Sequence, residues 1–84
     1  MSELISMRNI GKEMAKKLIS VGVISPEMLI QTGAKKVFLK LKAVYPEVCL
    51  VHLYALQGAI QNIEFNSLSE EMKNELKEFN DSFK

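Results

Sequence analysis

Cys49 and His52 are the one cysteine and the one histidine of this chain, and they stand three residues apart. On a helix that spacing sets two side chains next to each other. Such a pair offers two chemistries: a nucleophile with its base, or two ligands of a metal ion. Neither is completed here. A structural zinc takes four ligands, and no further Cys or His exists in the sequence. The pair also lies in the most apolar stretch, between Val48 and Leu56, so it reads as core: a buried thiol beside a packed or peripheral imidazole. No Walker loop, Rossmann glycine pattern or paired catalytic carboxylates occur. Glu70, Glu71, Glu75 and Glu78 read as a solvated helix face. The expectation is a chain without catalytic residues, metal or cofactor.

What remains is chemistry done by backbone and charge. The pattern Leu4-x-x-Met7-Arg8-Asn9-Ile10-Gly11-x-x-x-Ala15-x-x-Leu18 resembles the helix-hairpin-helix motif, two short helices joined by a hydrophobic-Gly hinge. That resemblance implies a hinge that presents backbone N–H groups to a nucleic-acid phosphate. The physics supports it, because a helix N-terminus has unpaired donors and the positive end of a dipole. Arg8, Lys12 and Lys16 would add attraction without reading sequence. The usual hinge reads Pro-Gly-Ile-Gly; here Arg8 and Asn9 replace its first two residues. Asn9 then either obstructs the phosphate or serves as a cap. The hairpin also occurs as a packing unit alone.

The elements that must position these groups follow from spacing. Glu3 to Met7 reads as a short helix docking Leu4, Ile5 and Met7, with a break at the hinge, where Gly11 supplies conformational freedom and room for a close neighbour. Lys12 to Val21 places Met14, Ala15, Leu18 and Val21 on one face, and Gly22 stops it. Ser25-Pro26-Glu27 is a start signal: a cap, a first-position proline and an acid. Gly33 ends that short helix. Ala34 to Tyr45 clusters Val37, Phe38, Leu41, Val44 and Tyr45 inward and Lys35, Lys36, Lys40 and Lys42 outward. Leu39 sits exposed among those lysines, either as an ordinary surface leucine or as a contact point for a protein partner.

Pro46 through Ile63 is the organising stretch. It is apolar on nearly every side, so it is expected to be a helix buried all round, and it is too short and polar-flanked to span a membrane. Ala55, Gly58 and Ala59 form a small-residue face suited to a close helix crossing, within the chain or in a dimer. Asn62 to Asn66 reads as a loop. Ser67 and Glu70 fit a capping box, followed by an apolar stripe of Leu68, Met72, Leu76, Phe79 and Phe83 and a fraying end near Lys84.

Eighty-four residues make one domain, 1–84, burying roughly 60–65% of the surface of the unfolded chain, with little room for a deep cleft. Two prolines, four glycines and no sustained alternation argue for an all-α fold. One thiol excludes an internal disulfide, and no signal segment precedes Met7, so a cytoplasmic location is expected. The net charge of +1 conceals a division. Residues 1–42 carry eight Lys and Arg against three acids, and residues 43–84 carry three against seven, so the halves stand at +5 and −4. Such asymmetry suits an anionic partner for the basic half, or two ordinary solvated faces.

A wider pattern exists. Asn9-Ile10-Gly11, Gly33-Ala34, Leu41-Lys42-Ala43, Pro46-x-Val48-Cys49-Leu50 and Leu53-Tyr54-Ala55-Leu56-x-Gly58-Ala59-Ile60 follow in that order. Together they resemble the C-terminal domain of the TfoX/Sxy family, bacterial proteins linked to regulation of DNA-uptake competence. The resemblance runs from about Leu4 to Phe79. It implies an all-α bundle of five or six helices with a helix-hairpin-helix or SAM-like core around a buried central helix. It brings no catalytic residues. Full-length members also carry an N-terminal α/β domain, not found within these residues. The expected partners are DNA, through phosphate contacts by Arg8, Asn9, Gly11, Lys12, Lys16, Lys35, Lys36 and Lys40, or a protein at Leu39, a second copy included; no membrane is expected.

Overall fold

Five α-helices and two 3₁₀ turns, with no strand, make up the described residues of the computed structural model, which are residues 3–82. A 3₁₀ turn at Glu3–Ser6 leads into α1 (Lys12–Ser20), α2 (Pro26–Thr32), α3 (Ala34–Val44) and α4 (Leu50–Gln61). A second 3₁₀ turn at Phe65–Ser67 precedes α5 (Glu70–Asp81). The expected all-α bundle is what forms.

Local signals set several boundaries. Ser25 accepts the Met28 N–H on its hydroxyl at 3.2 Å, with Pro26 at the first helical position. Gly22 and Gly33 take φ of +92° and +90°, the region open to glycine, and so end α1 and α2. At α5 the cap is Ser69, whose hydroxyl accepts the Met72 N–H at 3.1 Å, and not Ser67 as expected. Ser67 is taken up by the 3₁₀ turn. Replacing Ser69 by alanine is expected to cost about 1 kcal/mol in urea unfolding, and Ser67→Ala less than about 0.5 kcal/mol. Equal losses would contradict this placement of the cap.

α4 is the hub: it packs against α2, α3, α5 and the second 3₁₀ turn, and α1 packs on α3. Leu53 and Leu56 of α4 meet Phe38, Leu41 and Val37 of α3 in a core that also holds Leu4, Leu18, Leu29 and Leu76. The Tyr54 hydroxyl donates to the Lys73 carbonyl at 3.3 Å, tying α4 to α5. No polar or charged residue is buried among the described residues.

Three expectations fail here. The central helix starts at Leu50, because Pro46 and Glu47 form a turn, and it is not buried all round: Val51 is 54% exposed, and Leu50 and Tyr54 are half-buried. So small a bundle lacks the elements to wrap one helix completely. Val44 points outward at 57% exposure, since α3 turns its buried face toward Val37, Phe38 and Leu41. At the small residue Gly58 the nearest neighbours do not come from a crossing α-helix. A Cβ there would lie 2.5 Å from Asn9 Nδ2, 2.8 Å from the Ile63 carbonyl oxygen and 3.3 Å from Phe65 Cα, so it is the hinge and the α4–α5 connection that approach. In the α5 stripe Leu68 and Leu76 are buried and Met72 and Phe79 half-buried; Phe83 and the end near Lys84 lie outside the described residues.

Candidate nucleic-acid interface

The hinge is built from one left-handed residue. That residue is Asn9, with φ of 71°, and not Gly11, whose φ of −98° and ψ of −176° are extended backbone open to any side chain. Asparagine tolerates the left-handed region better than most residues. Its side chain also pays back the strain through two bonds. Asn9 Nδ2 donates to the Ile63 carbonyl at 2.9 Å, and Asn9 Oδ1 accepts the Phe65 N–H at 3.2 Å. Of the two roles open to Asn9, blocking an anion or capping, neither describes it. Its side chain clamps the hinge to the α4–α5 connection.

Gly11 is the N-cap of α1, and no side chain caps that helix. A Cβ on Gly11 would meet nothing within 4 Å, so the space beside Gly11 itself is open. The first turn borders a surface depression of about 540 Å³, walled by Gly11, Lys12 and Glu13 on one side and Val51 and His52 of α4 on the other. Arg8 stands at the hinge and pairs with Glu64 at 3.2 Å, both groups about half exposed. Lys12 and Lys16 are exposed and have no acidic partner among the described residues. Lys17 is not free: it reaches Glu47 at 3.6 Å and lies 5.4 Å from the Tyr45 ring centre.

Of the predicted site residues, Arg8, Asn9, Gly11 and Lys12 come together at the hinge, with Lys16 one turn along α1. Two lysines of α3 are engaged elsewhere. Lys35 bridges to Glu75 of α5 at 2.8 Å and sits over the Phe79 ring at 5.5 Å, beside a separate depression at the start of α3. Lys42 donates to the carbonyls of Pro46 (3.1 Å) and Val48 (2.6 Å), holding the α3–α4 turn. Lys36 and Lys40 stay exposed and unpaired among the described residues, flanking Leu39, itself 40% exposed.

Cys49 and His52 are neighbours, as the spacing implied, but the thiol is exposed and not buried. Cys49 is the N-cap of α4, so it faces the turn that precedes the helix and misses the core side of it. The Cys49 N–H donates to His52 Nδ1 at 3.0 Å, and Sγ lies 3.5 Å from the same nitrogen. Nδ1 is therefore the acceptor, which puts the proton of the neutral ring on Nε2. The pair acts as a helix cap. No group of three or more His, Cys, Asp or Glu that could hold a metal exists among the described residues.

Sequence reasoning missed Phe65, which lies at the hinge through its bond to Asn9 and is 38% exposed. The only signal was an aromatic residue inside a stretch read as loop.

The comparisons agree with this architecture. A family model described as the TfoX C-terminal domain matches residues 1–80. An uncharacterized protein from Listeria monocytogenes, solved in a triclinic crystal form, is 40% identical, with 95% of this chain and 91% of that chain covered and a TM-score of 0.94. A protein of unknown function from Listeria monocytogenes, in a tetragonal form, is 41% identical, with 90% and 93% covered and a TM-score of 0.88. No curated protein matches significantly. Because the family model spans nearly every residue of the sequence, this chain belongs to the TfoX C-terminal domain family.

Proposed function

We propose that this chain is a non-enzymatic bacterial module that holds nucleic-acid phosphates at the Arg8–Lys16 segment, as a cytoplasmic accessory to TfoX-like regulation. The observation that carries this reading is the uncapped first turn of α1, with open space beside Gly11 itself. Its amides and dipole favour an anion. The Asn9 side chain is bonded to Ile63 and Phe65, while the residue also lines the depression beside Gly11. Lys12 and Lys16 supply charge that no acid on the chain neutralises among the described residues. Arg8 can join them, since an exposed ion pair such as Arg8–Glu64 holds by only about 0–1 kcal/mol. Glu13 borders the same depression and opposes an anion, so contacts should be few.

Fluorescence anisotropy with a labelled duplex across a salt series tests the reading. Two to four phosphate contacts give a log–log slope of roughly −2 to −4. The double charge reversal Lys12→Glu with Lys16→Glu is expected to lower affinity at least about tenfold at low salt. Absence of binding at low salt, or binding untouched by the reversal, would overturn it.

A second reading has one observation in its favour: Leu39 is exposed between unpaired Lys36 and Lys40. This face would serve a protein partner, a second copy included. Sedimentation at high concentration tests self-association, and a strict monomer counts against it.

A further inference from the structure

We infer that this chain associates with a second copy of itself, the outer face of α2 on one copy meeting the outer face of α3 on the other. The inference rests on the second reading above, in which the Leu39 face serves a protein partner, and names that partner. Lys36, Leu39 and Lys40 lie at i, i+3 and i+4 on α3, and all three are exposed. The two lysines have no acidic partner among the described residues, and like charges one turn apart repel. The surface that complements this face therefore carries an acid and an apolar side chain together.

Both α5 and α2 expose acids. On α5, Glu70, Glu71 and Glu78 are exposed, but no large apolar side chain of that helix is, so α5 would match the charge and leave Leu39 uncovered. On α2, Glu27 and Ile30 lie three apart on one face, and Ile30 is 52% exposed. Ile24, just before the helix, is 60% exposed, and Met28 is exposed as well. Glu27 has no basic partner among the described residues and is the only charged residue from Val21 to Ala34. A surface poor in charge and rich in exposed apolar side chains has the composition of an interface centre. The dipole of α2 accounts for an acid in its first turn, but it gives no reason for Ile24 and Ile30 to stand in water. Set against α3 of a second copy, Ile30 covers Leu39 and Glu27 meets a lysine. Lys36 precedes Leu39 and Lys40 follows it, so a lysine is in reach whichever way the two helices run. α2 and α3 are joined by Gly33 alone and pack on each other, so each copy carries both halves of the contact close together. Nucleic acid would use the lysines but has no use for Leu39.

The test is sedimentation velocity at low salt from about 10 μM to about 1 mM, the range of a weak contact of small area. The sedimentation coefficient of the wild-type chain is expected to rise with concentration. Glu27→Lys alone, and Lys36→Glu with Lys40→Glu, are each expected to move the midpoint up at least about tenfold, because each sets like charges against one another. Joining all three changes in one chain restores opposite charges and is expected to bring the midpoint back to within about threefold of wild type. Ile30→Ser is expected to weaken association with the charges intact, and thermal melting of every variant separates these effects from a loss of fold. A wild-type chain that stays monomeric throughout overturns the inference and leaves the Leu39 face to a different protein. Association weakened by the lysine reversals but not by Glu27→Lys or Ile30→Ser overturns the pairing with α2 and keeps the Leu39 reading. A triple variant that fails to recover also overturns the pairing. Association untouched by any of these changes overturns both.

Discussion

Phe38→Ala is expected to remove a large share of the folding stability of this chain. Phe38 is the largest fully buried side chain and lies on the face that α3 turns toward α4. A large-to-small change at such a site forfeits the transfer energy of the ring and leaves a cavity, together about 3–5 kcal/mol. A chain of this length holds on the order of 4–12 kcal/mol in total. The melting temperature should therefore fall by more than about 15 °C, or cooperative melting should vanish. Leu39→Ala, one residue along the same helix, is the control. Leu39 is 40% exposed, and its loss should stay within about 0.5 kcal/mol. Differential scanning calorimetry on the two variants checks the contrast. Similar losses from both would mean that the face of α3 carrying Val37, Phe38 and Leu41 is not the buried one.

The difference between those neighbouring residues was readable in the sequence, because it follows from helical period alone. Val37, Phe38 and Leu41 fall together on one side, and lysines occupy the other. The same is true of α2, whose serine, proline and terminal glycine act on backbone groups within four residues. Reading failed where the deciding partner is remote. The left-handed turn could be assigned to Gly11 on residue type, but Asn9 takes it, because bonds to residues 54 and 56 positions away pay for the strain. Arg8 and Lys35 read as free cations, yet their acidic partners come from Glu64 and Glu75 in the other half of the chain. The division of charge between the halves is thus partly consumed inside the fold. Lys12, Lys16, Lys36 and Lys40 remain as its outward share among the described residues. The exposure of Cys49 and Val51 went unread for a related reason: composition tells how apolar α4 is, but only the number of packed elements tells how much of it is covered.

Gly58→Ala is the substitution in which local and remote effects oppose each other most directly. In a helix interior alanine gains about 1 kcal/mol over glycine, so propensity alone calls for stabilisation. The added methyl, however, would lie 2.8 Å from the Ile63 carbonyl oxygen and 2.5 Å from Asn9 Nδ2. The asparagine nitrogen can swing aside, but only by giving up its bond to Ile63. The carbonyl is backbone, and Ile63 is itself held to α4 by a bond from its N–H to the Gly58 carbonyl at 2.9 Å. Overpacking of this kind costs about 1–3 kcal/mol, and each lost hydrogen bond about 1 kcal/mol more. The net is a destabilisation of about 1–3 kcal/mol, with the hinge displaced as the clamp opens. Urea unfolding of Gly58→Ala, Asn9→Gly and the double variant isolates the cause. Glycine at position 9 keeps the left-handed backbone accessible while removing the amide that the methyl meets. The double variant should then be more stable than the two single losses add up to, by at least about 0.5 kcal/mol. Stabilisation by Gly58→Ala alone would show that the Asn9 clamp does not hold the hinge against α4, and that the open space at Gly11 is not fixed by it.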